Sequence, residues 1–211
     1  MFFTSFCFAA REACARLQDV KETTAYKIAV QAVPEIADKE LLPIYMPMVL
    51  DREQIEKDHR KGADSIEACL EQGKSVGFIT LGDPTVYSTY SYVEKLVKAD
   101  GFETGYISGI TSFCAAAATL GIPISEWQEP FHVIPAVHQL GDKLDLKGNY
   151  VLMKSGRQMA AVKEILANSG RKVTMVENCG LEDEHRYFSV DEIPDNAGYF
   201  SLIIAKENPE K

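Results

Sequence analysis

Basic residues are in deficit: 22 lysines and arginines face 31 aspartates and glutamates, for a net charge of −9 over 211 residues. No Lys/Arg cluster offsets this, which argues against generic binding to nucleic acid or to an anionic membrane. An acidic ligand would need a locally basic site. Cysteine is sparse too. The five present (Cys7, Cys14, Cys69, Cys114, Cys179) are odd in number and form no C-x-x-C pair. They read as buried thiols of a reduced, cytoplasmic protein. No apolar run approaches the ~18 residues of a membrane span. Residues 1–10 are aromatic and apolar, but lack a basic n-region and an A-x-A site, so they do not read as a signal peptide.

Several catalytic signatures are also missing. There is no G-x-x-x-x-G-K-[ST] and no G-x-G-x-x-G, which removes most support for a kinase or a nicotinamide-dependent enzyme. A G-x-S-x-G elbow, the mark of many hydrolases, is absent. His59, His132, His138 and His185 share no ligand spacing with one another or with cysteine, so no metal site is expected.

What remains is ordinary globular composition, 46% apolar and 25% charged, in a length that suits one to two domains. Strand and helix patterns alternate. The spacing of Ala13, Cys14 and Leu17 suits a short helix over Arg11–Leu17, and Thr23–Val33 a helix that Pro34 stops. The two prolines of Leu41–Val49 suit an extended stretch at a sheet edge. Asp51 with Gln54 resembles a capping box opening a long helix, on which Ile55, His59, Gly62, Ala63, Ile66 and Leu70 share a face. Strand Ser75–Thr80, helix Ser88–Ala99, strand Glu103–Ile107 and an alanine-rich helix closed by Gly121 follow. This is the grammar of a parallel α/β sheet. The chain changes character between Pro123 and Gly148, where only His132–Ile134 reads as strand, and the boundary is expected near Ala136–Leu140. Beyond it, strands Tyr150–Met153, Lys172–Glu177, Arg186–Val190 and Phe200–Ala205 and helix Arg157–Asn168 make a second α/β unit. The expected domains are 1–137 and 138–211.

Three glycine-bearing turns stand at carboxyl ends of predicted strands: Gly82-Asp83-Pro84, Gly109-Ile110-Thr111 and Cys179-Gly180. Ligands of open α/β sheets bind at such ends, so three equivalent turns point to a composite site. The segment Phe78–Tyr90 (FITLGDPTVYSTY) resembles the G-D-P signature of the tetrapyrrole (precorrin) methylases, and its T-V-Y-S-T-Y continuation is similar to the branch that methylates precorrin-2 or cobalt-factor II at carbon 20. Ser108–Phe113 (SGITSF) resembles the P-G-[IV]-T-S segment, with Ser108 where proline is usual. Met153-Lys154 and Met175–Gly180 (MVENCG) resemble two second-domain segments near the cofactor. The resemblance spans about Thr23 to Lys206.

The resemblance implies an α/β fold of two small domains with S-adenosylmethionine in the cleft between them, a homodimer, and a tetrapyrrole substrate of corrinoid biosynthesis. Carried over by motif, the cofactor contacts are Gly82, Asp83, Pro84, Tyr87, Thr111, Ser112, Met153 and Cys179. Cys179 stands where relatives often carry glycine, which implies a backbone contact rather than thiol chemistry. The family normally opens with a buried strand and a G-x-G-P-G-D-P loop. Residues 1–20 hold neither glycine nor proline, so that strand and loop are expected to be missing. A front-truncated, catalytically impaired binding module is therefore the alternative to an active enzyme.

Methyl transfer from a sulfonium is an in-line displacement that needs a held nucleophile more than a strong acid or base. A proton must still leave the methylated carbon, and Asp83, Tyr87 or Glu177 are the candidates to relay it. The carboxylates of the substrate call for cations. Lys154, Arg157 and His138 are the leading candidates, with Arg52, Lys57, Arg60, Lys61, Lys95 and His132 behind them.

Overall fold

A computed structural model describes residues 6–12, 17–46, 51–136, 140 and 144–208. The chain divides into two compact units, Met1–Gly109 and Ile110–Lys211.

The first unit is built on three strands, β1 (Phe6–Glu12), β2 (Glu40–Tyr45) and β3 (Ser75–Ile79), in the order β2-β1-β3 with both pairings parallel. Period-two alternation assigns the two faces. Leu42, Ile44, Val76 and Phe78 pack with helices α3 (Arg52–Leu70) and α4 (Tyr90–Ala99), through Ala63, Ile66, Val93 and Val97. The alternate residues Leu41 and Ile79 pack with Val20, Tyr26 and Ile36. These belong to helices α1 (Leu17–Glu22) and α2 (Thr24–Ala32) and the 3-10 turn Pro34–Asp38. The sheet is thus covered on both sides, as parallel sheets require.

The leading strand expected to be missing is present. Phe6–Glu12 forms β1 and holds the central place of this sheet. The helix expected over Arg11–Leu17 is corrected with it: Arg11 and Glu12 end β1, and α1 starts at Leu17. Helix α2 opens as predicted, with the Thr23 hydroxyl accepting from the Tyr26 amide at 3.2 Å, and ends before Pro34. Asp51 caps α3 through the amides of Glu53 and Gln54. The reciprocal half of the capping box does not form, because the Gln54 amide group donates to Asp58 instead. The strand expected at Glu103–Ile107 is irregular backbone. Side chains of α4 hold it: Tyr90 donates its hydroxyl to Gly105 O at 2.8 Å, and Glu94 accepts from the Thr104 hydroxyl at 2.6 Å.

The second unit carries a five-stranded sheet of β4 (Phe131–Pro135), β5 (Asn149–Met153), β6 (Lys172–Glu177), β7 (His185–Tyr187) and β8 (Ser201–Lys206), in the order β4-β5-β8-β6-β7. Only β4 and β5 pair in parallel; the other ladders are antiparallel. Two antiparallel steps through β8 leave β5 and β6 pointing the same way. Their carboxyl ends, with that of β4, therefore lie along one edge. Tyr150, Leu152, Val173, Met175, Ile203 and Ala205 pack with Met159, Val162 and Leu166 of helix α6 (Met159–Asn168). Helix α5 (Ser112–Leu120) packs against β6 and β8. Gly121, left-handed at φ 67°, closes α5 with its amide on the carbonyls of Ala117 and Ala118.

The units part at Gly109/Ile110, not at 137/138. The reason is β4: residues 131–135 pair with β5, and so bring the preceding helix α5 into the second unit. Among the cysteines, Cys69 is buried as expected, whereas Cys114 is exposed and Cys179 half-buried. No helix among the described residues is long and apolar enough to cross a membrane.

Gly62 of α3 lies where a Cβ would come within 2.8 Å of Met46 Cε and 2.9 Å of Ile44 Cγ2. Gly62→Val should therefore lower stability by about 1–3 kcal/mol in urea denaturation, although valine is the better helix former. An unchanged midpoint would contradict this packing.

Candidate functional site

The turn after β3 is held by one carboxylate. Asp83, 7% exposed, accepts from the Thr85 amide (2.8 Å) and the Thr85 hydroxyl (2.5 Å) on Oδ1. On Oδ2 it accepts from the Ser108 hydroxyl (2.7 Å) and the Gly109 amide (3.0 Å). Two of the predicted glycine turns are thereby tied together. They also touch directly, since a Cβ on Gly109 would collide with the Gly82 carbonyl. Gly82 is left-handed at φ 76°, which glycine adopts without strain. Tyr87, left-handed at φ 51° and 48% exposed, projects from the same loop; for a non-glycine residue this is a costly conformation that clusters at functional sites. Pro84 follows the latch and is half-buried.

The donors around Asp83 lower its pKa from 3.8 to about 2, the Thr85 hydroxyl contributing most and the Ser108 hydroxyl next. A carboxylate so engaged is a poor proton acceptor at neutral pH. The geometry favours a turn-holding role for Asp83 over the catalytic one.

Glu177, at the end of β6, also has both oxygens engaged. Its Oε1 accepts from the Gly198 amide at 2.5 Å and its Oε2 from the Tyr187 hydroxyl at 3.3 Å. Burial, and then the Glu177 charge, push the Tyr187 phenol up. Gly198 in turn packs on Gly156, where a Cβ would come within 2.6 Å of the Gly198 carbonyl. The ends of β5 and β6 are thus joined through Gly156, Gly198 and Glu177.

Around that edge the backbone is repeatedly left-handed: Lys154 (φ 61°), Asn178 (φ 54°) and Gly180 (φ 78°). The Cys179 Sγ lies 3.5 Å from the Thr119 hydroxyl of α5. That turns the thiol toward a helix and fits a backbone role for Cys179. Met153 ends β5, and its carbonyl accepts from the Ala136 amide at 2.7 Å. Thr111 and Ser112 open α5. The Thr111 hydroxyl is buried and without a hydrogen-bond partner, and so is the hydroxyl of Ser155, a residue fully buried just past Lys154. Unsatisfied buried hydroxyls are uncommon and point to a ligand or water that completes them. Both lie beside segments singled out from sequence.

The predicted cations fare unequally. Arg52 pairs with Glu56 at 3.0 Å, Lys57 with Glu53 at 2.6 Å and Lys61 with Asp58 at 3.6 Å. Arg60 meets Asp64, Glu67 and Asp100, each at 2.6 Å. These four are the solvated, ion-paired face of α3. Lys95 is exposed on α4. His132, half-buried, bonds the Lys147 carbonyl at 3.0 Å, and its ring lies 5.0 Å from that of Tyr150 at a tilt of 33°. Arg157 sits in a 3-10 turn, Gly156–Gln158, that leads into α6. His138 lies outside the described residues. Sequence reasoning missed Thr85, Ser108, Ser155, Tyr187 and Gly198. Of these, Thr85 carried a signal as the first residue of the T-V-Y-S-T-Y continuation, and Ser108 as a departure from the usual proline.

The model of the Tetrapyrrole (Corrin/Porphyrin) Methylases matches residues 9–194. The chain belongs to the tetrapyrrole methylases. This methylase is 33% identical to the probable cobalt-precorrin-2 C(20)-methyltransferase of Methanocaldococcus jannaschii, over 88% of the chain and 80% of that protein. It is 28% identical to the cobalt-precorrin-2 C(20)-methyltransferase of Salmonella typhimurium, over 79% of the chain and 73% of that protein. Its fold resembles that of a solved cobalt precorrin-4 methyltransferase with a TM-score of 0.65 at 17% identity, covering 95% of this chain and 83% of that one. It resembles uroporphyrin-III C-methyl transferase from Thermus thermophilus, solved with S-adenosyl homocysteine, at 0.60 and 16% identity, covering 96% and 85%.

The sign of the Asp83 effect is testable. A carboxyl lowered from 3.8 to about 2 stabilises the folded state above pH 3.8, and that stabilisation is lost as pH falls through 2. Asp83→Asn should melt below wild type at pH 7, and the gap should close between those two pH values. A gap that persists at pH 2 would contradict the role of the ionised carboxylate.

Proposed function

We propose that this methylase transfers a methyl group from S-adenosylmethionine to carbon 20 of precorrin-2 or its cobalt form. The observation that supports it most is that relatives matching over most of the chain carry this one activity in their names. The strand half of the front-truncated reading is not supported, because β1 is formed and central; its other ground, the lack of glycine and proline in residues 1–20, stands.

The residues present fit the cofactor: left-handed backbone at strand ends and two buried hydroxyls without partners suit a ligand read largely by backbone and hydroxyl groups. On the strength of the resemblance, the contacts assigned to it are Gly82, Asp83, Pro84, Tyr87, Thr111, Ser112, Met153 and Cys179. When bound, S-adenosylmethionine supplies an electrophilic methyl group on a sulfonium that departs as a neutral thioether. The protein's task is to hold and orient. Fixed turns supply that through proximity. Asp83 and Glu177 hold their turns with both oxygens engaged. Tyr87, with its half-exposed phenol, is then our candidate to receive or pass on the proton that leaves carbon 20. Lys154 and Arg157, placed just past the end of β5, and His138 are assigned to the substrate carboxylates. A cytoplasmic homodimer completes the proposal, on the strength of the resemblance.

Calorimetric titration with S-adenosylhomocysteine should give one site per chain with affinity in the micromolar range. No heat from folded protein would refute the reading. Tyr87→Phe should leave that affinity within about twofold and lower turnover by about 10²-fold or more, the scale of a lost proton-transfer group. Unchanged turnover would remove Tyr87 from the proton path.

A further inference from the structure

Ser108 occupies a position where the resembling segment usually has proline, and the exchange adds a group that proline lacks. Proline has no hydroxyl to give. Here the Ser108 Oγ donates to Asp83 Oδ2 at 2.7 Å, next to the Gly109 amide at 3.0 Å. Thr85 supplies both donors to the other oxygen. The segment around Ser108 has no strand ladder to fix it, being irregular from 102 to 111. Tyr90 and Glu94 of α4 hold it at residues 104–106, and its fit against the Gly82 turn comes from the Ser108 bond, the Gly109 amide and the close approach of Gly109 to the Gly82 carbonyl. The loop so tied contains left-handed Gly82 and Tyr87. A strained loop keeps such a conformation only when its surroundings over-determine it.

We infer that Ser108 is a positioning residue for methyl transfer: by bonding Asp83 Oδ2 it ties the 108–109 segment to the Gly82-Asp83-Pro84 turn and holds that turn in the form that takes the methyl donor. This role rests on the cofactor site proposed above. It acts through Asp83, not by touching the reacting atoms. Hydrogen bonds to ionised groups are about twice as strong as neutral ones, so the loss of this single donor is measurable. The Gly109 amide remains as a second donor, so its loss loosens the turn without releasing it.

The test uses the full chain with Ser108→Ala, Ser108→Thr and Ser108→Cys, read by S-adenosylhomocysteine calorimetry and by steady-state kinetics with S-adenosylmethionine and precorrin-2. Ser108→Ala should raise Kd, and KM for S-adenosylmethionine, by about tenfold, the scale of one hydrogen bond to a charged group. Turnover number and KM for precorrin-2 should change less. Ser108→Thr, which keeps the hydroxyl, should restore both values. If Ser108→Ala does not fold, Ser108→Cys keeps the volume with a weak donor and should show the same direction of change. Alanine or cysteine variants that bind as wild type does, or a threonine variant that fails to rescue, overturn the role. A wild type that binds no S-adenosylhomocysteine overturns the cofactor site itself, and this role with it.

Discussion

Four hydrogen bonds converge on the carboxylate of Asp83, and the shape of the turn after β3 depends on them. The two on Oδ2 tie residues 108 and 109 to the loop after β3. In that loop a left-handed glycine and a left-handed tyrosine are held together at a strand's carboxyl end. Glu177 does the same for the second unit, joining the Gly198 loop to the end of β6. Both acids looked like proton-transfer candidates in the sequence. In the structure both accept hydrogen bonds that hold backbone in place. That suits a reaction whose barrier is lowered by holding two reactants in line rather than by a tuned acid or base.

Local signals carried much of the fold. The apolar run Lys172–Glu177 is strand β6 with those ends, and Gly121 closes α5 in the left-handed form that glycine favours. Long-range pairing was harder to read. Phe6–Glu12 lacks the glycine and proline that punctuate most strands, and the helical spacing of Ala13, Cys14 and Leu17 drew the eye past it. Glu103–Ile107 has strand composition, yet Tyr90 and Glu94 claim its polar groups before a ladder can. The division between the units followed from the pairing of β4 with β5, a contact that no local pattern announces.

The candidate site was legible as motifs but not as roles. Gly82 and Cys179 stand just past strand ends and Met153 ends β5, whereas Thr111 follows irregular backbone and was singled out by resemblance. The partners of Asp83 and Glu177 could not be read, because Ser108 lies 25 residues from Asp83 and Gly198 lies 21 from Glu177 along the chain. Charge misled in a similar way. The cations of α3 looked available for a polyacidic ligand, and the structure shows Arg60 alone meeting three carboxylates. The net charge of −9 is therefore compatible with a polyacidic substrate only if the basic contacts come from elsewhere.

The most direct test is turnover of precorrin-2 and of its cobalt form, run side by side, with S-adenosylmethionine labelled with carbon-13 in its methyl group. The account predicts a singly methylated product with one enriched methyl signal, attached at carbon 20. No incorporation by folded protein, or a methyl group on any other carbon, would contradict it.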